Sequence, residues 1–166
     1  MATTVDRTVG AAGSAYSASE LSKFFVVENI VDTAALNAAA AETAQCIDVR
    51  RGSLVMLVGL ELMTLEGGQC TVDVGDGSDP DGYLDGINLN TGTVPVFFSS
   101  NLAFTISTTN ANITMTTITQ LYDSILGKFY GTADDTLDVL FNDASDLVKL
   151  RLFALVVDCT GRGSLM

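Results

Sequence analysis

An acidic stretch, VDVGDGSDPDGYLDG, carries the side chains of this chain that come nearest to a metal-binding pattern. Its five aspartates are Asp73, Asp76, Asp79, Asp81 and Asp85. Hard cations such as Ca²⁺ are bound by several carboxylate and carbonyl oxygens of one tight loop, and glycines permit the sharp turns. The spacing departs from the EF-hand pattern, because Asn88 stands where the bidentate glutamate would be. We therefore predict a solvated turn, in which Asp76, Asp79 and Asp81 are the residues that would hold calcium if any did.

Catalytic chemistry has little support in the sequence. The chain contains no histidine, which removes the commonest general base and the commonest metal ligand. Adjacent carboxylates such as Asp134 and Asp135 are typical of charged turns that keep a protein soluble. No glycine-rich phosphate-binding loop is present, and the three cysteines form no CxxC pair. We expect neither enzymatic activity nor a cofactor.

Length and charge restrict the possible partners. The 166 residues suit one domain, and 20 acidic against 8 basic residues give a net charge of −12. So acidic a chain is repelled by phosphates and by anionic membrane surfaces, so we expect no nucleic-acid or membrane partner. The N-terminal sequence does not resemble a signal peptide, and the longest apolar run, Leu54–Leu60, is too short to span a bilayer. These features predict synthesis in a reducing cytoplasm.

Short strands dominate the predicted secondary structure. Thr33–Thr43 is predicted to contain a short helix and Gly75–Gly92 to be a long loop. Strands at regular spacing, separated by Gly and Asp turns, predict an all-β, antiparallel β-sandwich of jelly-roll type, with an immunoglobulin-type sandwich as the alternative. The predicted strands are Lys23–Val31, Gln45–Arg50, Ser53–Leu65, Gln69–Val74, Thr93–Phe98, Leu102–Ser107, Ile113–Ile118, Lys128–Tyr130, Thr136–Phe141 and Leu147–Cys159.

Two features predict assembly with other chains. Residues 1–20 are small and polar, and we interpret them as an extended N-terminal arm before a sandwich domain at residues 21–166. Leu54–Val58 and Leu152–Val157 are apolar on both faces, although a sandwich strand needs only one apolar face. We therefore predict a homo-oligomer. The candidate interface residues are Val5, Val9, Tyr16, Leu54, Met56, Leu152 and Leu155.

Two segments resemble small structural proteins of tailed bacteriophages. The first, RGSLVMLVGLELMTLEGGQCTVDVGDGSDPDGYLDGINLNTG (Arg51–Gly92), contains a long strand, a hairpin and turns of the TVDVGDG and DPDG types. The second, FYGTADDTLDVLFNDASDLVKLRLFALVVDC (Phe129–Cys159), contains a DTLDV strand and a final apolar strand. In these segments, roughly half of its length, the chain resembles capsid decoration (cement) proteins.

The resemblance implies a β-sandwich or jelly-roll fold, a trimer on the outer surface of a phage capsid, and the major capsid protein as partner. It also implies location in the virion and no catalysis, and it assigns no functional residues. Two other classes stay open. One is a phage tail or fibre component that acts as an adhesin for the host surface. The other is a Ca²⁺-dependent carbohydrate-binding sandwich, which would need the acidic stretch to hold the metal.

Overall fold

The computed structural model describes residues 24–90, 94–100, 104–107, 113–115 and 127–159. These residues form eleven strands and one single-turn helix, α1 (Thr33–Leu36). The predicted arm at residues 1–20 lies outside them. The strands are β1 (Phe24–Asp32), β2 (Glu42–Val49), β3 (Ser53–Thr64), β4 (Thr71–Asp76), β5 (Asp79–Asn88), β6 (Val96–Ser99), β7 (Phe104–Ser107), β8 (Ile113–Met115), β9 (Lys128–Tyr130), β10 (Asp135–Phe141) and β11 (Lys149–Asp158).

The strands form two antiparallel sheets. The large sheet has the order β1-β11-β3-β6-β7-β8, with β9 also paired to β3, and the small sheet has the order β2-β10-β4-β5. The prediction of an all-β, antiparallel sandwich is confirmed, and its jelly-roll type stays a prediction. Strand β11 lies between β1 and β3, so it joins two strands from the beginning of the described chain.

The core lies between the sheets and follows from the period-two alternation of the strands. In β11, Leu150, Leu152 and Ala154 are fully buried, whereas the residues between them are half-buried. Tyr83 and Phe141 are the largest of the fully buried side chains. Each large apolar side chain buried in this way contributes about 1.5–3 kcal/mol.

The predicted loop Gly75–Gly92 is wrong over most of its length. Asp79–Asn88 forms β5, which pairs with β4 across a tight turn. Gly75 permits this close approach, because a Cβ atom there would lie 2.0 Å from the carbonyl oxygen of Asp79. Two register shifts along the β4–β5 pair also interrupt the alternation that marks a strand in the sequence.

The predicted short helix within Thr33–Thr43 is present as a single turn at the start of that segment. The Asp32 side chain accepts a hydrogen bond from the Ala34 N–H at 3.2 Å and so caps the start of α1. Asn37 ends the helix in the left-handed conformation, with φ 52°. The chain then enters β2 at Glu42, three residues before the predicted strand. Within the described residues, no helix has the length and apolarity needed to cross a membrane.

Candidate functional site

The acidic stretch contributes to a partly buried polar cluster that joins the two sheets. This cross-sheet cluster consists of Asp76, Ser78, Tyr83, Lys128 and Tyr130. Asp76 ends β4 of the small sheet and is 1% exposed. Its Oδ2 accepts a hydrogen bond from the Tyr130 hydroxyl at 2.7 Å and contacts Lys128 Nζ, both from β9 of the large sheet. The hydroxyls of Tyr130 and Tyr83 lie 3.1 Å apart.

The second oxygen of Asp76 holds the turn between β4 and β5. Its Oδ1 accepts hydrogen bonds from the Ser78 N–H at 2.9 Å, the Ser78 hydroxyl at 2.7 Å and the Asp79 N–H at 3.2 Å. Lys128 Nζ also donates to Ser78 Oγ at 2.8 Å. One carboxylate therefore fixes both the hairpin turn and the attachment of β9.

The donors decide the ionisation of this cluster. Burial by itself would raise the pKa of Asp76, but the hydrogen bonds from Lys128, Ser78 and Tyr130 outweigh burial and lower it to about 2. Burial raises the pKa of Tyr130 far above its usual value, and the neighbouring Tyr83 and Asp76 raise it further. At neutral pH the Asp76 carboxylate is therefore ionised and the Tyr130 hydroxyl is protonated.

The three calcium candidates do not converge on a common point. Both carboxylate oxygens of Asp76 already accept hydrogen bonds in and beside the cross-sheet cluster. Asp79 is half-buried, and Asp81 is exposed. A hydrogen bond with Asp81 is the main reason that the pKa of Asp79 is raised. Over the described part of the chain, no group of three or more His, Cys, Asp or Glu is placed to hold a metal ion. The acidic stretch builds a hairpin and a tie between the sheets.

The outer face of the large sheet is apolar at one end. In the register, Phe24 lies opposite Val157, Val157 opposite Leu54, and Leu54 opposite Phe129. Directly opposed residues of an antiparallel pair share one face, so these four side chains form a row across the sheet. Phe24 and Phe129 are 60% and 56% exposed.

A second row lies beside the first. Val26 lies opposite Leu155, which lies opposite Leu57, and Val26 is 64% exposed. The next residue on this face of β11 is Phe153, which covers Gly59 so closely that a Cβ on Gly59 would lie 2.3 Å from the ring. We call this surface the apolar outer face. Its members are Phe24, Val26, Leu54, Leu57, Phe129, Phe153, Leu155 and Val157.

Charged residues occupy the other end of the same face. Arg151 contacts Glu61 and lies 3.4 Å from Glu28, and Lys149 lies 3.5 Å from Asp32. Each cation is therefore already paired with an acidic side chain of a neighbouring strand. The surface changes from apolar to charged over the length of the sheet.

The candidate interface residues have different positions in the structure. Leu54 and Leu155 are half-buried members of the apolar outer face, and Met56 lies at the bulge between Val55 and Leu57. The prediction for Leu152 is wrong, because the alternation of β11 turns this side chain into the core, where it is fully buried. The remaining candidates Val5, Val9 and Tyr16 lie outside the described residues. Sequence reasoning missed Phe24, Val26 and Phe129, although FFVV at the start of β1 is apolar on both faces.

The outer face of the small sheet is polar and acidic. Asp138 lies opposite Gln45 and Gly75, and Thr136 lies opposite Asp48. Asp138 is 7% exposed, and no described residue forms a hydrogen bond with its Oδ1. Burial is the main reason that the pKa of Asp138 is raised. The hydrogen bond from Thr136 lowers this pKa, and the nearby charges of Asp135 and Asp76 raise it further.

Asp73 is the third carboxylate on this face. Its Oδ1 accepts the Gly86 N–H at 2.7 Å, and its Oδ2 accepts the Asn142 amide at 3.0 Å. The two sheets thus present opposite chemistry to the outside: apolar side chains at one end of the large sheet, and aspartates on the small sheet.

The cysteines behave as packing residues. Cys70 is buried, Cys46 is half-buried and Cys159 is exposed, and all three are free thiols. Burial raises the pKa of both Cys46 and Cys70 to about 11, so these two thiols stay protonated at neutral pH.

The comparisons with known proteins give a likeness of fold. No family model and no curated protein sequence matches the chain. Among solved structures, it is similar to a chain of the cyanophage Pam1 capsid asymmetric unit, with TM-score 0.53, 13% identity, and coverage of 81% of this chain and 84% of that chain. It is also similar to a chain of the acid-stable capsid of Helicobacter pylori bacteriophage KHP30, with TM-score 0.49, 13% identity and coverage of 81% and 86%. The likeness to the Pam1 chain shows that the two share a fold.

Proposed function

We propose that this chain is a structural protein of a phage virion: a decoration (cement) protein that binds the outer surface of the capsid as a homotrimer. The observation that carries the proposal is the shared fold, over 81% of this chain, with a chain of the cyanophage Pam1 capsid asymmetric unit. The sequence resemblance of Arg51–Gly92 and Phe129–Cys159 to decoration proteins points the same way. The partner in this role is the major capsid protein, and the chain acts by binding alone.

The physical chemistry of the chain suits this role. The apolar outer face offers a surface for contact with other subunits. The net charge of −12 per chain keeps free trimers apart by repulsion until they meet the shell. A protein that binds the assembled shell, and not its dissociated subunits, stabilises the shell by mass action. The arm at residues 1–20 is proposed to contact a neighbouring subunit or the shell.

The test uses capsids of the encoding phage that are assembled without this protein. Purified chain is added, and the particles are examined by sedimentation and electron cryo-microscopy. We expect three-fold density at regular sites on the outer surface and a higher temperature of genome release than for bare particles. The Asp79→Asn variant, altered only at the half-buried first residue of β5, is the matched control and should bind equally.

Two results would overturn the proposal. Absence of binding at micromolar concentration would remove the decoration role. Density confined to the tail of intact virions would favour the alternative of a tail or fibre component.

A further inference from the structure

We propose that the apolar outer face of the large sheet is the surface through which copies of this chain bind one another, with the same face of each copy turned toward the three-fold axis of the proposed trimer. The inference deepens the proposed function and rests on its requirement for an oligomer. It selects one surface of the molecule and a second copy of this chain as the occupant.

The first argument is exposure. The face extends over four adjacent strands, β1, β11, β3 and β9, and Phe24, Val26 and Phe129 are each more than half exposed. Isolated apolar side chains on a surface are ordinary, but a contiguous apolar patch marks an interaction site. The side chains between these three, such as Leu155 and Val157, extend the patch without interruption by charge.

The second argument is shape. Because Gly59 has no side chain, the Phe153 ring lies against the backbone there and does not project from the sheet. A flat apolar sheet face packs well against another sheet, at a spacing of about 10 Å. Among the described residues, the small sheet cannot supply a matching face, because its outer side carries Asp48, Asp73 and Asp138. The same face of a second copy does match.

The third argument is charge. Two copies that each carry −12 repel one another, so contact is least costly where neither copy presents net charge. Contact through the large sheets leaves the acidic outer faces of the small sheets on the far sides of the assembly. At the charged end of the face, Arg151 and Lys149 are paired within their own chain and can form a polar rim.

The fourth argument is the edge of the sheet. Among the described strands, β1 lies at the edge of the large sheet. It has nine residues, and its sequence FFVVENIVD contains neither lysine nor proline, the residues that usually protect an exposed edge. The edge is continuous with the apolar outer face through Phe24 and Val26. A neighbouring copy seated on the face would cover this edge as well.

The experiment measures oligomer dissociation by native mass spectrometry and light scattering, over a range of concentrations, on the full chain. Val26→Asp and Leu155→Asp each place a carboxylate on the apolar outer face. Thr43→Asp places one on an exposed residue of β2 and adds the same charge to a strand of the small sheet. We expect the first two variants to raise the dissociation constant at least about 100-fold, because an unpaired charge would have to be buried, and Thr43→Asp to change it less than about 3-fold.

Circular dichroism and thermal melting separate loss of assembly from loss of fold. Leu155 is half-buried, so a carboxylate there can disturb the fold itself. Val26 is 64% exposed, so Val26→Asp is the deciding variant. Assembly that survives in both folded variants would overturn the inference while leaving the oligomer in place. A wild-type monomer that still coats capsids would also overturn it, and the decoration role would stand. A wild-type oligomer that Val26→Asp dissociates, but that does not bind capsids, would support the inference and remove the proposed function.

Discussion

Asp76 and Asp138 are two buried carboxylates of the same small sheet in contrasting surroundings. Asp76 lies between the sheets and receives hydrogen bonds from Ser78, Asp79 and Tyr130 in addition to its contact with Lys128. Asp138 lies on the outer side of the sheet, where its Oδ1 has no hydrogen-bond partner in the part of the chain that the structure describes. Burial raises the pKa of both groups, yet the pKa of Asp76 is low and that of Asp138 is high. The number of hydrogen-bond donors around a buried carboxylate, and not the extent of its burial, decides whether it stabilises this fold.

The largest effect is expected from Asp76→Asn. The amide cannot accept all the hydrogen bonds of the carboxylate, and Lys128 would lose its counter-charge in a largely buried position. We expect the free energy of unfolding to fall by about 3 kcal/mol, the usual cost of removing one partner of a buried ion pair. Urea unfolding followed by circular dichroism measures it. A loss below about 1 kcal/mol would contradict the account of the cross-sheet cluster.

The pH dependence of the same residue gives the next largest effect. A carboxyl whose folded pKa is depressed to about 2 contributes stability above its ordinary pKa of 3.8 and loses that contribution as the pH falls through 2. The difference in stability between wild type and Asp76→Asn should therefore shrink by roughly 2 kcal/mol between pH 5 and pH 2. Unfolding curves at stepped pH provide the measurement. An unchanged difference over that range would mean that Asp76 is not ionised in the folded protein.

Asp138→Asn should raise the free energy of unfolding, whereas Asp76→Asn lowers it. Because the folded pKa of Asp138 is raised, its ionised form costs stability at neutral pH, and the cost disappears as the pH falls through the folded pKa to below the ordinary value of 3.8. We expect a gain of about 1 kcal/mol at pH 7 and none near pH 3. Asp73→Asn is the matched control on the same face and should show no gain, because both oxygens of Asp73 accept hydrogen bonds. Equal gains in the two variants would remove the distinction drawn between satisfied and unsatisfied carboxylates.

The smallest effect is expected when Asp79 and Asp81 are both changed to Asn. These residues share the turn region with Asp76 but lie outside its buried contacts with β9. The free energy of unfolding should change by less than about 0.5 kcal/mol, with either Ca²⁺ or EDTA present. The melting temperature provides the measurement. A calcium-dependent rise in melting temperature in the wild type that the double variant lacks would establish a metal site in the acidic stretch.

Much of the sheet structure was predictable because the alternation of apolar and polar residues along a strand shows directly which side chains are buried. Lys128–Tyr130 was predicted with its observed bounds, and β11 was predicted to within two residues. β5 was missed because its Asp-Gly pairs favour turns locally, whereas burial of Tyr83 and Leu84 in the core decides its conformation. Tertiary packing overrode local preference there.

The candidate sites were less predictable than the strands. The sequence analysis singled out the acidic stretch as a weak calcium candidate, but the partners of Asp76 lie 52 and 54 residues further along the chain, at Lys128 and Tyr130. No local spacing indicates such a contact, because it depends on which strand of one sheet faces which turn of the other. The sequence indicated only part of the apolar outer face. Leu54 and Leu155 were named as interface candidates, but Phe129 joins them only through strand register.

The position of β11 has a consequence for how the newly synthesised chain folds at the ribosome. β1 pairs with β11, and β3 has β11 along one side, yet β11 follows every other described strand in the sequence. The large sheet therefore cannot close until β11 has been synthesised and has left the ribosome, and its pairings between distant segments predict slow folding. Throughout that interval the nascent chain carries β1 without its partner, a hazard for aggregation. The excess of acidic residues, which limits how folded copies can meet, also keeps unfinished copies on neighbouring ribosomes apart.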